Sequence, residues 1–271
     1  MLSYSNAKIN IGLNIVEKRN DGFHNIETIF YPIAMRDAIE IVDSKANTPY
    51  TFSATGIPID IEDKDNIVVK AYELIRSKYN FPAQDIHLHK SIPFGAGLGG
   101  GSANAAYMIK LLNQKFKLDM SHTEMEEAVS KLGSDCAFFI KNEPAFANMK
   151  GEQLSSITLN LSGYYFLLIK PDIHISTPEA YANIKPQKPE TSLKELIKEP
   201  LENWKSLIKN DFEESIFPKH PQLAQIKEEL YAHGALYAAM SGSGSSMFGI
   251  FKEDPLVLPQ WEKHYCWKNR L

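Results

Sequence analysis

From residue 7 to residue 16 apolar and polar side chains alternate. Ile9, Ile11, Leu13 and Ile15 take one face of a predicted strand, and Lys8, Asn10 and Asn14 take the other. The turn signal Asn20-Asp21-Gly22 follows, and 26–33 and 38–42 read as two further strands. Over 66–79 the spacing becomes helical, with Val69, Tyr72, Leu74 and Ile75 inward and Lys70, Glu73 and Lys78 outward. A strand over 85–92 closes at Pro93, because proline has no N–H to continue a ladder. A glycine-rich segment and a helix over 103–116 come next, with Ala105, Met108, Ile109, Leu112 and Phe116 as its apolar stripe. A second helix over 123–132 stops at Gly133. The pattern weakens over 141–160 and a strand restarts at Tyr164. Proline-punctuated polar helices then lead to a hairpin pairing 235–239 with 247–251 across Ser241-Gly242-Ser243-Gly244-Ser245-Ser246. The weak stretch places a domain boundary near 158, giving 1–158 and 159–271.

Composition narrows the classes of function. With 271 residues, 44% hydrophobic and 23% charged, the chain can bury a sizeable core. A net charge of −4 and a pI near 6.1 argue against nucleic acid or an anionic membrane as partner, since both demand a basic face. Two cysteines, Cys136 and Cys266, make no disulfide framework and suit a reducing cytoplasm. The opening residues lack the continuous apolar stretch of a signal peptide, and the longest apolar run, 164–169, is far below the ~20 residues that span a bilayer. A cytoplasmic protein, monomeric or weakly dimeric, is expected.

The segment Pro93-Phe94-Gly95-Ala96-Gly97-Leu98-Gly99-Gly100-Gly101-Ser102 carries the candidate chemistry. A strand, a glycine-rich turn and a helix together make an anion site: successive backbone N–H groups converge, and the helix N-terminus adds partial positive charge. Bare glycines allow the ligand to approach, so a β-branched residue at Gly100 is expected to abolish nucleotide binding with the fold intact. A Walker loop is excluded, because no lysine follows Gly101. Gly95, Gly97 and Gly100 do satisfy G-x-G-x-x-G. However, the polar stretch 113–119 before Asp119 supplies no second buried strand, so a dinucleotide fold is not indicated. His87 and His89 share a strand face without a third metal ligand nearby, and read as a polar sheet face.

Three segments together resemble the GHMP kinase superfamily: Lys8-Ile9-Asn10, the run from Pro93 to Asn104, and Met240-Ser241-Gly242-Ser243-Gly244. Asp21-Gly22-Phe23-His24, the triple glycine before Ser102, and Leu132-Gly133-Ser134-Asp135 are similar to its branch acting on a cytidine-diphosphate-linked methylerythritol. The resemblance implies an α+β fold with a ribosomal-protein-S5-like N-terminal domain and a ferredoxin-like C-terminal domain. It also implies ATP with Mg²⁺ and phosphorylation of a small-molecule hydroxyl. Homoserine- or mevalonate-type kinases and a non-catalytic nucleotide-binding relative are the competing readings. Phe23 replaces a usual tyrosine, Ala103 a usual serine and Ala137 a common proline.

Residue roles follow from the same resemblance. Asp135 is the base for the substrate hydroxyl, and Lys8 supports it and the transferred charge. The ATP site comprises Pro93, Phe94, Gly95, Ala96, Gly97, Leu98, Gly99, Gly100, Gly101, Ser102, Ala103, Asn66 and Lys90. The acceptor site comprises Asn10, Phe23, His24, Thr177, Tyr181 and Ser241. Read from the residues alone, Ser102 and Asn66 are helix N-caps; the resemblance places Ser102 near Mg²⁺ or phosphate as well. Lys90 shares the inward parity of Ile86 and Leu88, and either reaches nucleotide or snorkels to solvent. Asn10 contacts substrate or holds Lys8.

Overall fold

The computed structural model describes all 271 residues, and they form two compact units. The first comprises Met1–Ala7, Met35–Phe94 and Gly99–Glu143; the second comprises Lys8–Ala34, Gly95–Leu98 and Pro144–Leu271. The long strands β1 (Leu2–Lys18) and β2 (His24–Asp43) each lend one end to each unit, so the units interleave along the sequence. The division at 158 follows chain order instead.

The first unit holds β3 (Tyr50–Gly56), α1 (Ile67–Arg76), β4 (Gln84–Lys90), α2 (Gly100–Phe116), α3 (His122–Ser130) and α4 (Phe138–Lys141). The C-terminal half of β2 pairs antiparallel with β4, and β4 pairs parallel with β3. Side chains alternate strictly here: Met35, Asp37, Ile39 and Ile41 are buried, whereas Arg36 and Glu40 are exposed. Helices α1 and α2 pack together, burying Val68, Tyr72 and Ile75 from one and Ala105, Met108, Ile109 and Leu112 from the other. Each such large apolar side chain contributes about 1.5–3 kcal/mol on burial. Asn66 caps α1 through its side chain, which accepts the Val68 N–H at 2.9 Å, so Asn66→Ala costs about 1 kcal/mol.

The second unit holds β5 (Ala145–Asn148), β6 (Gln153–Ser156), β7 (Tyr165–Lys170), α5 (Thr177–Tyr181), α6 (Leu193–Leu196), α7 (Trp204–Leu207), α8 (Phe212–Ile216), α9 (Pro221–Ala232), β8 (Tyr237–Met240), β9 (Met247–Phe251) and β10 (Tyr265–Arg270). A four-stranded antiparallel sheet runs β10-β7-β9-β8, and α9 packs on β8 and β9. The pairing Met240↔Met247 fixes 241–246 as the tip of the predicted hairpin.

The expected strands 26–33 and 38–42 are one continuous strand, β2. Arg36 and Asp37 interrupt the apolar pattern without breaking the strand. The strands β3 and β10 lie at sheet edges with little burial; β3 alternates Tyr50, Phe52 and Ala54 with Thr51, Ser53 and Thr55, whereas β10 shows no clean alternation. No helix is long and apolar enough to cross a membrane.

Candidate active site

In the first unit β4 delivers the chain to Pro93, and α2 receives it after the glycines. The helix starts at Gly100, three residues earlier than the spacing suggested. Its N-cap is Gly99, whose left-handed φ of 67° suits glycine. Ser102 is therefore not the N-cap; it sits inside the first turn. The N–H groups of that turn have no intrahelical acceptor, which leaves a positive helix end at the loop. A second helix end is close by, since a Cβ on Gly101 would lie 3.8 Å from Ile67 Cγ2 in the first turn of α1.

Gly100 and Gly101 differ in a way the sequence hides. A Cβ on Gly100 would lie 2.8 Å from Ile92 Cγ2 and 2.9 Å from Lys90 Nζ, so its bareness serves internal packing. The expectation that a β-branched residue there leaves the fold intact fails for that reason. Gly101 faces open space apart from Ile67.

Asp135 stands in a half-buried turn between α3 and α4 and accepts the Ser134 hydroxyl at 3.3 Å. Its neighbour Cys136 is buried and hydrogen-bonded to Ser102, which brings this turn to the start of α2. Burial, aided by the Asp135 charge, pushes the Cys136 thiol up to about 11. Lys90 neither snorkels nor points outward: it is 1% exposed and paired at 2.5 Å with the fully buried Asp37. Burial lowers its pKa and the Asp37 charge opposes that shift. Its ammonium also lies 4.9 Å from the centre of the Phe94 ring, a partly exposed loop residue.

In the second unit the loop segment Gly95–Leu98 meets β1 and the hairpin tip. Lys8, 3% exposed, donates to Asn10 Oδ1 at 2.6 Å and to the Gly97 carbonyl at 3.1 Å, and lies over the Phe30 ring. The backbone N–H of Lys8 donates to the Leu98 carbonyl at 2.9 Å. The Ser241 hydroxyl donates to the same Gly97 carbonyl at 2.8 Å and accepts the Asn10 N–H at 3.2 Å. The Asn10 amide donates to Thr28 at 2.9 Å. Lys8, Asn10, Gly97 and Ser241 are thus one hydrogen-bonded cluster, with Asn10 holding Lys8. Lys8 and Asn10 are as buried as the apolar row beside them, because both faces of this stretch of β1 are covered.

The tip itself is held from behind. Asn210 donates to the carbonyls of Met240 and Gly242 at 2.7 and 2.8 Å, and Glu213, ion-paired with Lys227, accepts the Met240 N–H at 2.8 Å. Sequence reading missed both residues; a glutamate preceding the apolar Ile216 and Phe217 gave no period to notice.

Among the acceptor candidates, His24 and Tyr181 stack at 4.7 Å between centroids, and Phe212 meets Tyr181 edge-on. Burial, reinforced by Lys18, lowers the His24 pKa, so at pH 7 its neutral ring offers one donor and one acceptor. Phe23 is 60% exposed with Lys150 against its ring, and its N–H is fixed by Asp21. Thr177 is exposed at the start of α5. His87 and His89 bond Ser53 and Thr55 across the exposed face of β3 and β4. No three His, Cys, Asp or Glu side chains group as metal ligands.

The chain matches two families, described as GHMP kinases N terminal domain over residues 66–143 and GHMP kinases C terminal over 192–265. It is 54% identical to the 4-diphosphocytidyl-2-C-methyl-D-erythritol kinase of Parabacteroides distasonis and 51% identical to that of Bacteroides thetaiotaomicron, covering 100% of each chain in both comparisons. A crystal structure of 4-(cytidine 5'-diphospho)-2C-methyl-D-erythritol kinase superposes with a TM-score of 0.83 at 25% identity, covering 99% of this chain and 98% of that one. The Methanococcus jannaschii mevalonate kinase shares the fold at a TM-score of 0.71 and 13% identity, with 100% and 98% covered.

Proposed function

Because the chain belongs to the 4-diphosphocytidyl-2-C-methyl-D-erythritol kinases of the GHMP superfamily, we propose that it transfers the terminal phosphoryl group of ATP to a hydroxyl of that cytidyl substrate. The reaction is a step of non-mevalonate isoprenoid precursor synthesis, carried out in the cytoplasm. Relatives matching at about half identity over the whole chain share that one name, whereas the mevalonate kinase likeness is one of fold. This favours the cytidyl substrate over homoserine or mevalonate.

The structural observation that carries the reading is the glycine loop. One end opens α2 beside the start of α1, and its middle carbonyl, Gly97, is gripped by Lys8 and Ser241. Phosphoryl transfer needs positioning and charge neutralisation more than covalent participation. The unpaired N–H groups of the first turn of α2 cradle phosphate oxygens, with Pro93 to Ala103 and Asn66 forming the surrounding ATP site, while Lys90, buried against Asp37, supports the loop from behind. Lys8, oriented by Asn10 and Gly97, contributes fixed positive charge, and Asp135 accepts the proton of the attacking hydroxyl. Mg²⁺ keeps several waters and is held largely by substrate phosphates. Ser102, in the first turn of α2, would help to hold it, and it would neutralise charge on the phosphates. Phe23, His24 and Tyr181 bind the cytosine, with Thr177, Asn10 and Ser241 completing the acceptor site. The functional domains are proposed as 1–158, the ATP-binding N-terminal domain, and 159–271, the C-terminal domain; the boundary falls between β6 and β7.

Asp135→Asn and Lys8→Met test the assignment. Each should lower kcat far more than ATP affinity, and the double variant should cost little more than the worse single one, as expected of groups acting as a unit. Fully additive losses would separate the two residues, and an unchanged kcat would dismiss them.

A further inference from the structure

We propose that Asp37 is a positioning residue for the glycine loop, holding both of its limbs with one carboxylate. Asp37 is fully buried in the inward row of β2, between Met35 and Ile39. One oxygen, Oδ1, accepts the backbone N–H groups of Ser91 at 2.7 Å and Ile92 at 2.8 Å, the last two residues before Pro93. The other, Oδ2, accepts Lys90 Nζ at 2.5 Å and the side-chain amide of Asn104 at 2.9 Å. Asn104 belongs to α2, so the strand entering the loop and the helix leaving it are tied to the same group. The Asn104 amide also donates to Ser5 at 2.7 Å, which fixes its orientation.

A buried carboxylate needs compensation, and Lys90 alone would supply the charge. The two backbone N–H groups and Asn104 satisfy the carboxylate's remaining lone pairs, and they are drawn from both limbs of the loop. They convert the pair into a clamp that sets where Ile92 ends and where α2 begins. Lys90 extends the clamp to the first residue of the helix, since a Cβ on Gly100 would come within 2.9 Å of its ammonium. The loop residues between these anchors must present N–H groups to phosphate within a few tenths of an ångström, and a displacement near 1 Å can cost up to about 10²-fold.

The inference rests on the reading of the loop as the ATP site. Asp37→Asn keeps volume but turns an NH₂ group toward donors. Asn104→Ala removes one anchor more gently and serves if Asp37→Asn does not fold. ATP affinity is measured by calorimetry well below each melting temperature, alongside KM for the cytidyl acceptor. The clamp predicts an ATP Kd raised about tenfold or more in Asp37→Asn and about threefold in Asn104→Ala, with acceptor KM within twofold of the parent. Parental ATP affinity in a folded variant, with only a lower melting temperature, would reduce Asp37 to a structural ion-pair partner and overturn the proposal. Equal rises in ATP Kd and acceptor KM would overturn it too, as general loosening. A parent protein that binds no ATP would remove the loop assignment itself, and the clamp with it.

Discussion

Replacing Gly97 with alanine sets the smallest side chain against the tightest contact in the loop. A Cβ there would lie 1.8 Å from the Ser241 carbonyl oxygen, which is backbone and cannot rotate away. Gly97 also has φ +74°, where a side chain costs about 1–2 kcal/mol. Relieving the clash moves the Gly97 carbonyl, which accepts from the Lys8 ammonium and the Ser241 hydroxyl. Those bonds are worth about 1.5–3 and 0.5–1.5 kcal/mol respectively. The sum, about 3–6.5 kcal/mol, is a large share of an ordinary folding free energy of about 5–15 kcal/mol. At about 2–4 °C per kcal/mol, the melting temperature should fall by roughly 6–26 °C in calorimetry. Gly163→Ala is the control, because Gly163 has φ +96° and nothing within 4 Å of its Cβ position, so only backbone strain is added. If Gly97→Ala melts no lower than Gly163→Ala, the clamp on the Gly97 carbonyl is not what holds this part of the loop.

Gly101→Ala should raise the melting temperature slightly, since alanine favours a helix by about 0.5–1 kcal/mol over glycine, while weakening ATP binding in titration calorimetry; Gly100→Val should destabilise the fold through Ile92 and Lys90. Phe23→Ala and Tyr181→Ala should raise KM for the cytidyl substrate and leave KM for ATP nearly unchanged, a base–aromatic stack being worth about 1–3 kcal/mol; cytidine monophosphate should compete with the acceptor alone. Cys136, raised to about 11 against an ordinary value of 9, binds its proton more tightly folded than unfolded. Its stabilisation is therefore complete below pH 9 and lost as pH rises through 11, a change of about 2–3 kcal/mol that Cys136→Ala should remove from alkaline denaturation curves.

Where apolar periodicity was strong the fold was legible: β1, α1, α2 and the β8–β9 hairpin follow from spacing, and Asn66 from capping chemistry. The edge strand β10 was hidden because a half-solvated edge needs no alternation, whereas β3, alternating over Tyr50 to Thr55, was readable from its pattern. The polar framework of the site was harder to read. Lys90 announced itself by inward parity with Ile86 and Leu88, and Asp37 has the same parity with Met35 and Ile39. Two opposite charges in the inward rows of adjacent strands were a readable pair, obscured by splitting β2 in two. Asn210 and Glu213 could not be found this way, since they act on the hairpin tip across 27 to 32 residues of chain.

The central claim is tested most directly by incubating the purified protein with ATP, Mg²⁺ and 4-diphosphocytidyl-2-C-methyl-D-erythritol, with homoserine and mevalonate in parallel. ADP release is followed and the product mapped by phosphorus NMR. The account predicts stoichiometric ADP and one new phosphomonoester on a hydroxyl of the cytidyl substrate, with negligible turnover of the other two. Preferred turnover of homoserine or mevalonate, or ATP binding without phosphoryl transfer to any of the three, would contradict it.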